Sequence, residues 1–85
     1  MYAIIVYDIS VERVVKVNKF LYQYLYWRQN SVFEGKLTKL QFKEIVEWFE
    51  ENLAEEDRVI IYTLKSDKFL RRTEIGVSKQ MSRIL

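Results

Sequence analysis

Three observations on this 85-residue chain predict an α+β fold, an antiparallel sheet carrying two helices on one face. Short runs rich in β-branched and aromatic residues recur along the chain, as strands require. Two segments between them carry apolar residues at three-four spacing, the signature of one buried helix face. The resulting order is β-α-β-β-α-β. With short connections and right-handed crossovers, it closes most simply as a ferredoxin-like fold.

The first element is "YAIIVY", residues Tyr2 to Tyr7, apolar without strict alternation. That pattern predicts a central strand covered on both faces. Ser10 can cap a helix whose buried positions are Val14, Val17, Leu21, Tyr24 and Leu25, predicted to run to about Leu25. "YWRQ" and "VFEGKL" then flank Asn30 and Ser31, a polar pair that suits a tight turn or a bulge between two short strands. Gly35 inside the second run suggests a kink or a close backbone approach.

Thr38 followed by Gln41 forms a capping box, and Leu37 with Phe42 has the spacing of a hydrophobic staple. The helix so announced buries Phe42, Ile45, Val46, Phe49 and Leu53. After the acidic loop "AEED", the run "RVIIYTL" supplies the last strand of the pattern. "TEIGV" and the tail to Leu85 remain, an extra C-terminal strand or tail that could add to a sheet edge, including a partner's edge.

Residues 1–85 are expected to form one domain, which at this size buries only about 60 to 65% of the surface its unfolded chain exposes. The chain has no cysteine, so neither disulfides nor thiolate metal sites can reinforce it. Sharing the core with a second copy is the remaining route, and a homodimer is the expected state. The N-terminal apolar run is too short to span a membrane and is interrupted by Asp8, with no charged leader before it. A cytoplasmic protein without membrane partners is expected.

Charge is unevenly spread. From Glu44 to Asp57 there are seven acids and no base, whereas Lys65 to Leu85 holds six bases against two acids. The basic segment, with Arg71 and Arg72, suits either an anionic partner such as nucleic acid or a solvated surface.

Without histidine or cysteine no nucleophilic triad is possible, and there is no glycine-rich phosphate loop. Hydrolytic chemistry would have to run through carboxylates and a metal. Asp8, at the end of the first strand, is the candidate; the alternative is an acid that accepts hydrogen bonds from the following turn. Mg²⁺ takes octahedral oxygen ligands, commonly one or two carboxylates with waters and substrate phosphate. Two copies of Asp8 meeting at a dimer axis would suffice, and a metal there could polarise a phosphodiester and activate water.

Arg13 falls in the first turn of the first helix, where the macrodipole disfavours a cation. Its compensation is either a nearby acid, Asp8 or Glu12, or a bound phosphate. Arg28, between Trp27 and Gln29, could track a nucleic-acid backbone while Trp27 and Phe33 stack on bases. The core is the favoured place for Phe33.

"YDIS" at the end of the first strand, "RQNSVFEG" after the first helix and the "VIIYTL" strand together resemble the CRISPR-associated protein two family, across nearly the whole chain. The resemblance implies a ferredoxin-like homodimer in which Asp8 faces its symmetry mate and binds Mg²⁺ or a similar divalent ion. It implies that Arg13 and Arg28 match basic positions associated with nucleic acid, while Phe33 falls in the "SVF" segment; Tyr7 and Phe33 are the candidates for dimer or stacking contacts. It also implies a partner, the CRISPR-associated integrase, with the small subunit bridging integrase dimers around DNA during spacer acquisition. Many members are described as metal-dependent endonucleases on single-stranded RNA or duplex DNA. The polar tail "GVSKQMSRIL" departs from the apolar last strand of many relatives, the segment to which integrase docking or strand swapping would fall.

Three readings follow. The first is a Mg²⁺-dependent endonuclease centred on Asp8, the second a non-catalytic DNA-holding adaptor. A toxin-type ribonuclease of the VapD sort, sharing the architecture, is the third.

Overall fold

The computed structural model describes residues 1–69 and residue 73. The extra C-terminal strand or tail, with Arg71 and Arg72, lies outside the described residues.

The elements follow the predicted order: β1 (Tyr2–Asp8), α1 (Val11–Leu21), β2 (Tyr26–Gln29), β3 (Val32–Lys36), α2 (Lys39–Asn52) and β4 (Arg58–Leu64), then a short 3₁₀ turn at Asp67–Phe69. The strands form one sheet in the order β2-β3-β1-β4, with each neighbouring pair antiparallel. Each helix carries the chain past one intervening strand, the split βαβ arrangement of the ferredoxin-like fold.

β1 departs from expectation in one respect. Ala3, Ile5 and Tyr7 are buried, while Tyr2, Ile4 and Val6 on the other side are only half-covered. Both helices lie on one face, where Val17 and Leu21 of α1 and Ile45 and Phe49 of α2 join Ala3, Ile5, Tyr7 and Phe33 in the core. Among the described residues the continuous apolarity of β1 therefore has a cover on one side only.

α1 stops at Leu21, four residues earlier than predicted. Beyond it the amides of Gln23 and Tyr24 donate to the carbonyls of Phe20 and Leu21, a tighter winding than the α-helix. The change of path leaves Leu25 buried and lays it over Gly35, where a Cβ would come within 3.1 Å of the Leu25 side chain. Gly35 is thus the predicted close approach. The β2–β3 connection uses both predicted devices, a turn with Asn30 at φ 34° and a register shift between Trp27 and Gln29.

The capping box of α2 forms, with the Gln41 amide donating to Thr38 Oγ1 at 3.0 Å and the Thr38 amide to Gln41 Oε1 at 2.9 Å. Ser10 occupies the N-cap position of α1 with extended backbone, but its hydroxyl makes no cap bond. Between the helices the Phe20 and Trp48 rings stack, centroids 4.1 Å apart.

Candidate nucleic-acid and metal site

In an antiparallel ladder, residues directly opposite one another project to the same face. β1 pairs with β4 through Ile4–Tyr62, Val6–Ile60 and Asp8–Arg58. The helix-free face therefore carries an apolar stripe that ends in an acid and a base. Ile60 and Tyr62 are 52% and 57% exposed there. Around Asp8, a groove of about 550 Å³ is lined by Val6, Tyr7, Asp8, Ser31, Arg58, Ile60 and Tyr62. The Tyr7 amide donates to the Ser31 carbonyl at 3.1 Å, holding the β2–β3 turn against this end of β1.

Asp8 is exposed, and no hydrogen bond or ion pair joins its side chain to another described residue. The turn after β1 is satisfied by a different acid. Ser10 donates its amide to Asp57 Oδ1 at 3.1 Å, and Ala54 its amide to Asp57 Oδ2 at 3.0 Å. Of the two readings of Asp8, the turn-capping one is taken over by Asp57, which was not singled out in the sequence.

Arg13 also meets Asp57 rather than Asp8. Its Nε lies 2.5 Å from Asp57 Oδ2 and its Nη2 3.0 Å from Oδ1, with Glu56 at 2.8 Å and Glu12 at 3.7 Å. The Arg13 guanidinium holds the Asp57 carboxyl well below the usual carboxylate range, helped by the Ala54 and Ser10 amides, while burial opposes the shift. The same bond to Asp57 pushes the Arg13 value up. Glu56 is lowered too, by a backbone hydrogen bond first and by Arg13 second.

Arg28 stands on the same open face as the stripe, on the strand β2, with its side chain reaching Glu34. Its Nε donates to Glu34 Oε1 at 3.0 Å, and the Tyr2 hydroxyl donates to Oε2 at 2.8 Å. Glu34 is only 1% exposed, so a buried carboxylate is paired by a half-exposed guanidinium that also lies over the Tyr26 ring. Trp27 is partly exposed, with its indole N–H donating to the Asn30 carbonyl.

Phe33 and Tyr7 lie on the helix side. Phe33 has no exposed surface, so of its two readings the structure takes the core and leaves no ring face for a base or a second chain. Tyr7 is buried as well, donating its hydroxyl to Asn18 Oδ1, and burial, with Tyr22 nearby, pushes its phenol up to about 12. Neither ring is placed for stacking on a nucleic acid or for a contact through the open face.

The functional-face residues that sequence reasoning missed are Arg58, Ser31, Tyr62 and Glu34. Glu34 had a readable signal, a charge flanked by apolar residues inside "VFEG". Arg58 opposite Asp8 follows only once the β1–β4 register is known.

The donor set can be compared with what Mg²⁺ needs. Among the described residues there is no group of three or more Asp, Glu, His or Cys side chains that could hold a metal. One chain brings one unpaired carboxylate, Asp8, to the groove. An oxygen-only set of one or two carboxylates completed by waters and phosphate fits a hard divalent cation, provided a second chain supplies the other acid.

At the opposite end of the sheet a groove of about 390 Å³ is lined by Met1, Tyr2, Lys36, Leu37, Thr38, Gln41, Lys65 and Ser66. Its lysines give that end a basic character. No helix among the described residues is long and apolar enough to cross a membrane.

Residues 1–72 match the family described as CRISPR associated protein Cas2. The CRISPR-associated endoribonuclease Cas2 of Methanosarcina acetivorans is 46% identical, over 93% of this chain and 92% of its own length. That of Thermococcus kodakarensis is 50% identical over the same shares. Among solved structures, a Cas2 crystal structure at 46% identity superimposes with a TM-score of 0.85, covering 93% of this chain and 90% of the other. Streptococcus pyogenes Cas2 at pH 6.5 gives 0.76 at 28% identity, covering 89% and 100%.

Proposed function

The chain belongs to the CRISPR-associated protein Cas2 family, and from that premise we propose that it is a homodimeric, Mg²⁺-dependent endonuclease of the CRISPR system that hydrolyses phosphodiester bonds in single-stranded RNA or duplex DNA. The observation that carries this reading is Asp8, an exposed carboxylate without a partner among the described residues, at the end of a half-covered apolar stripe. Burying Ile4, Val6, Ile60 and Tyr62 against the same face of a second copy removes apolar surface from water and draws two Asp8 groups toward the two-fold axis. The protein then works where CRISPR nucleic acid is found, in the cytoplasm.

In this dimer Asp8 from each chain would hold the divalent ion. The ion would supply polarisation of the phosphodiester and a more acidic water. Arg58, opposite Asp8 in the ladder and without an ion pair to another described residue, is set to receive a phosphate oxygen. The phenol of Tyr62 and the Ser31 hydroxyl line the same groove and can orient the strand by hydrogen bonds. Arg28 binds nucleic acid only through the N–H groups not given to Glu34, and Arg71 and Arg72, outside the described residues, are further basic candidates in the sequence.

The test is cleavage of end-labelled RNA and duplex DNA by Asp8→Ala in Mg²⁺. Loss of cleavage with retained nucleic-acid binding is expected; cleavage at the wild-type rate rejects the enzyme reading.

A second reading is favoured by the lysine-lined groove at the sheet end opposite Asp8. There the protein is a DNA-holding adaptor that bridges the CRISPR-associated integrase during spacer acquisition, gripping phosphates without sequence preference. Asp8→Ala would leave spacer acquisition intact under this reading. With the family established, the toxin-type ribonuclease reading is set aside.

A further inference from the structure

We infer that Arg13 and Asp57 are positioning residues for the Asp8 end of β1, not part of the surface that meets nucleic acid; the inference rests on the proposed metal-binding role of Asp8. The Asp57 side chain has no exposed surface. Its two oxygens take four N–H groups, from the Ser10 and Ala54 amides and from Nε and Nη2 of Arg13. Those donors come from three segments: the turn after β1, the loop before β4 and the first turn of α1.

The β1–β4 ladder ends at the Asp8–Arg58 rung, and extending its register would set Ile9 opposite Asp57. In place of another backbone rung, the Asp57 side chain reaches across to the Ser10 amide. One buried carboxylate thus ties the backbone just beyond Asp8 to the backbone just before Arg58. Asp8 has no side-chain partner of its own among the described residues, so backbone placement is what fixes it.

Charge excludes a phosphate role for Arg13. Three carboxylates, Asp57, Glu56 and Glu12, surround its single positive charge, and the local field repels an anion. The fork of Nε and Nη2 onto one carboxylate is a geometry that lysine, a point charge on a flexible stem, does not reproduce. Lysine would replace a phosphate-binding arginine well and a clamping one poorly.

The full-length chain and its Arg13→Lys, Arg13→Gln, Asp57→Asn and Asp8→Ala variants separate the two roles through two measurements. One is Mn²⁺ affinity by calorimetry. The other, in chelator, is affinity for a short single-stranded RNA over a range of salt. Positioning predicts that Arg13→Lys and Asp57→Asn weaken Mn²⁺ binding by about 10- to 100-fold, the scale of losing support behind a metal ligand. RNA affinity and its salt slope stay at the wild-type values. A phosphate role instead predicts wild-type Mn²⁺ affinity in the Arg13 and Asp57 variants and, in Arg13→Gln, a salt slope shallower by about one; that pattern overturns the inference.

Should Asp57→Asn fail to fold, Arg13→Lys keeps a cation beside the buried carboxylate and carries the test by itself. Asp8→Ala that binds Mn²⁺ like the wild type rejects the metal role of Asp8. Loss of Mn²⁺ in Asp8→Ala with unchanged affinity in Arg13→Lys rejects the positioning role alone.

Discussion

The two faces of the sheet are built from the same strands and end in opposite conditions. On the helix side, Ala3, Ile5, Tyr7 and Phe33 are buried within one chain. Its rim acid, Asp57, receives four N–H groups. On the open side Ile4 and Val6 are half-covered, Ile60 and Tyr62 are exposed, and the rim acid, Asp8, has no partner among the described residues. Among the described residues the helix side is complete in one protomer, and the open side is not. Stability resides mainly on the first face and, under the proposed function, chemistry on the second.

Substitutions on the two faces should therefore fail in different ways. Phe33→Ala, in the closed face, is expected to cost about 3 to 5 kcal/mol from lost transfer energy and the cavity left behind. Urea unfolding measures it, and a loss under 1 kcal/mol, on the order of a surface change, would erase the contrast. Asp8→Ala should reduce cleavage by about two orders of magnitude or more, the scale of removing a group that stabilises the transition state, while the urea midpoint hardly moves.

Tyr62→Ala should raise the dimer dissociation constant by about 10- to 100-fold, as a central aromatic of an interface does, with each protomer still folded. Sedimentation equilibrium reads it, and a dimer of undiminished affinity would place the interface elsewhere. Arg28→Ala probes the buried charge of Glu34 on the open face. Glu34 would lose its guanidinium, at about 1 to 3 kcal/mol, less than for a fully buried pair because Arg28 is 43% exposed. The double change with Glu34→Gln should recover most of that loss.

The smallest effect concerns pH. The Asp57 carboxyl is held below its ordinary value of 3.8. A depressed carboxyl contributes stability that is fully present above the unfolded value and is lost as pH falls through the folded one. The Tm difference between wild type and Asp57→Asn should be flat above pH 3.8 and shrink steadily below it. A difference that shrinks at neutral pH instead would assign the clamp to another group.

The element order, the capping box of α2 and the β2–β3 turn were legible in the chain because each follows from patterns local in sequence; Gly35 was legible as a glycine inside a strand, although the side chain it meets, Leu25, lies ten residues away. The end of α1 was not, since Leu25 keeps helical spacing although its burial comes from packing over Gly35. Arg13 signalled a need for an acid, but its partner lies 44 residues away and depends on how β4 docks beside β1. The apolarity of β1 predicted two covers, and only the fold reveals which of them the described residues supply. Asp8 was conspicuous for the same local reason as the cap, an acid where a strand stops. Its pairing with Arg58 required the register.

The account turns on two Asp8 side chains sharing one ion across the open face, and the stoichiometry of Mn²⁺ binding tests it most directly. Titration of the full-length protein should saturate at one ion for every two chains and lose that site in Asp8→Asn. Saturation at one ion per chain, or a site that survives Asp8→Asn, would contradict it.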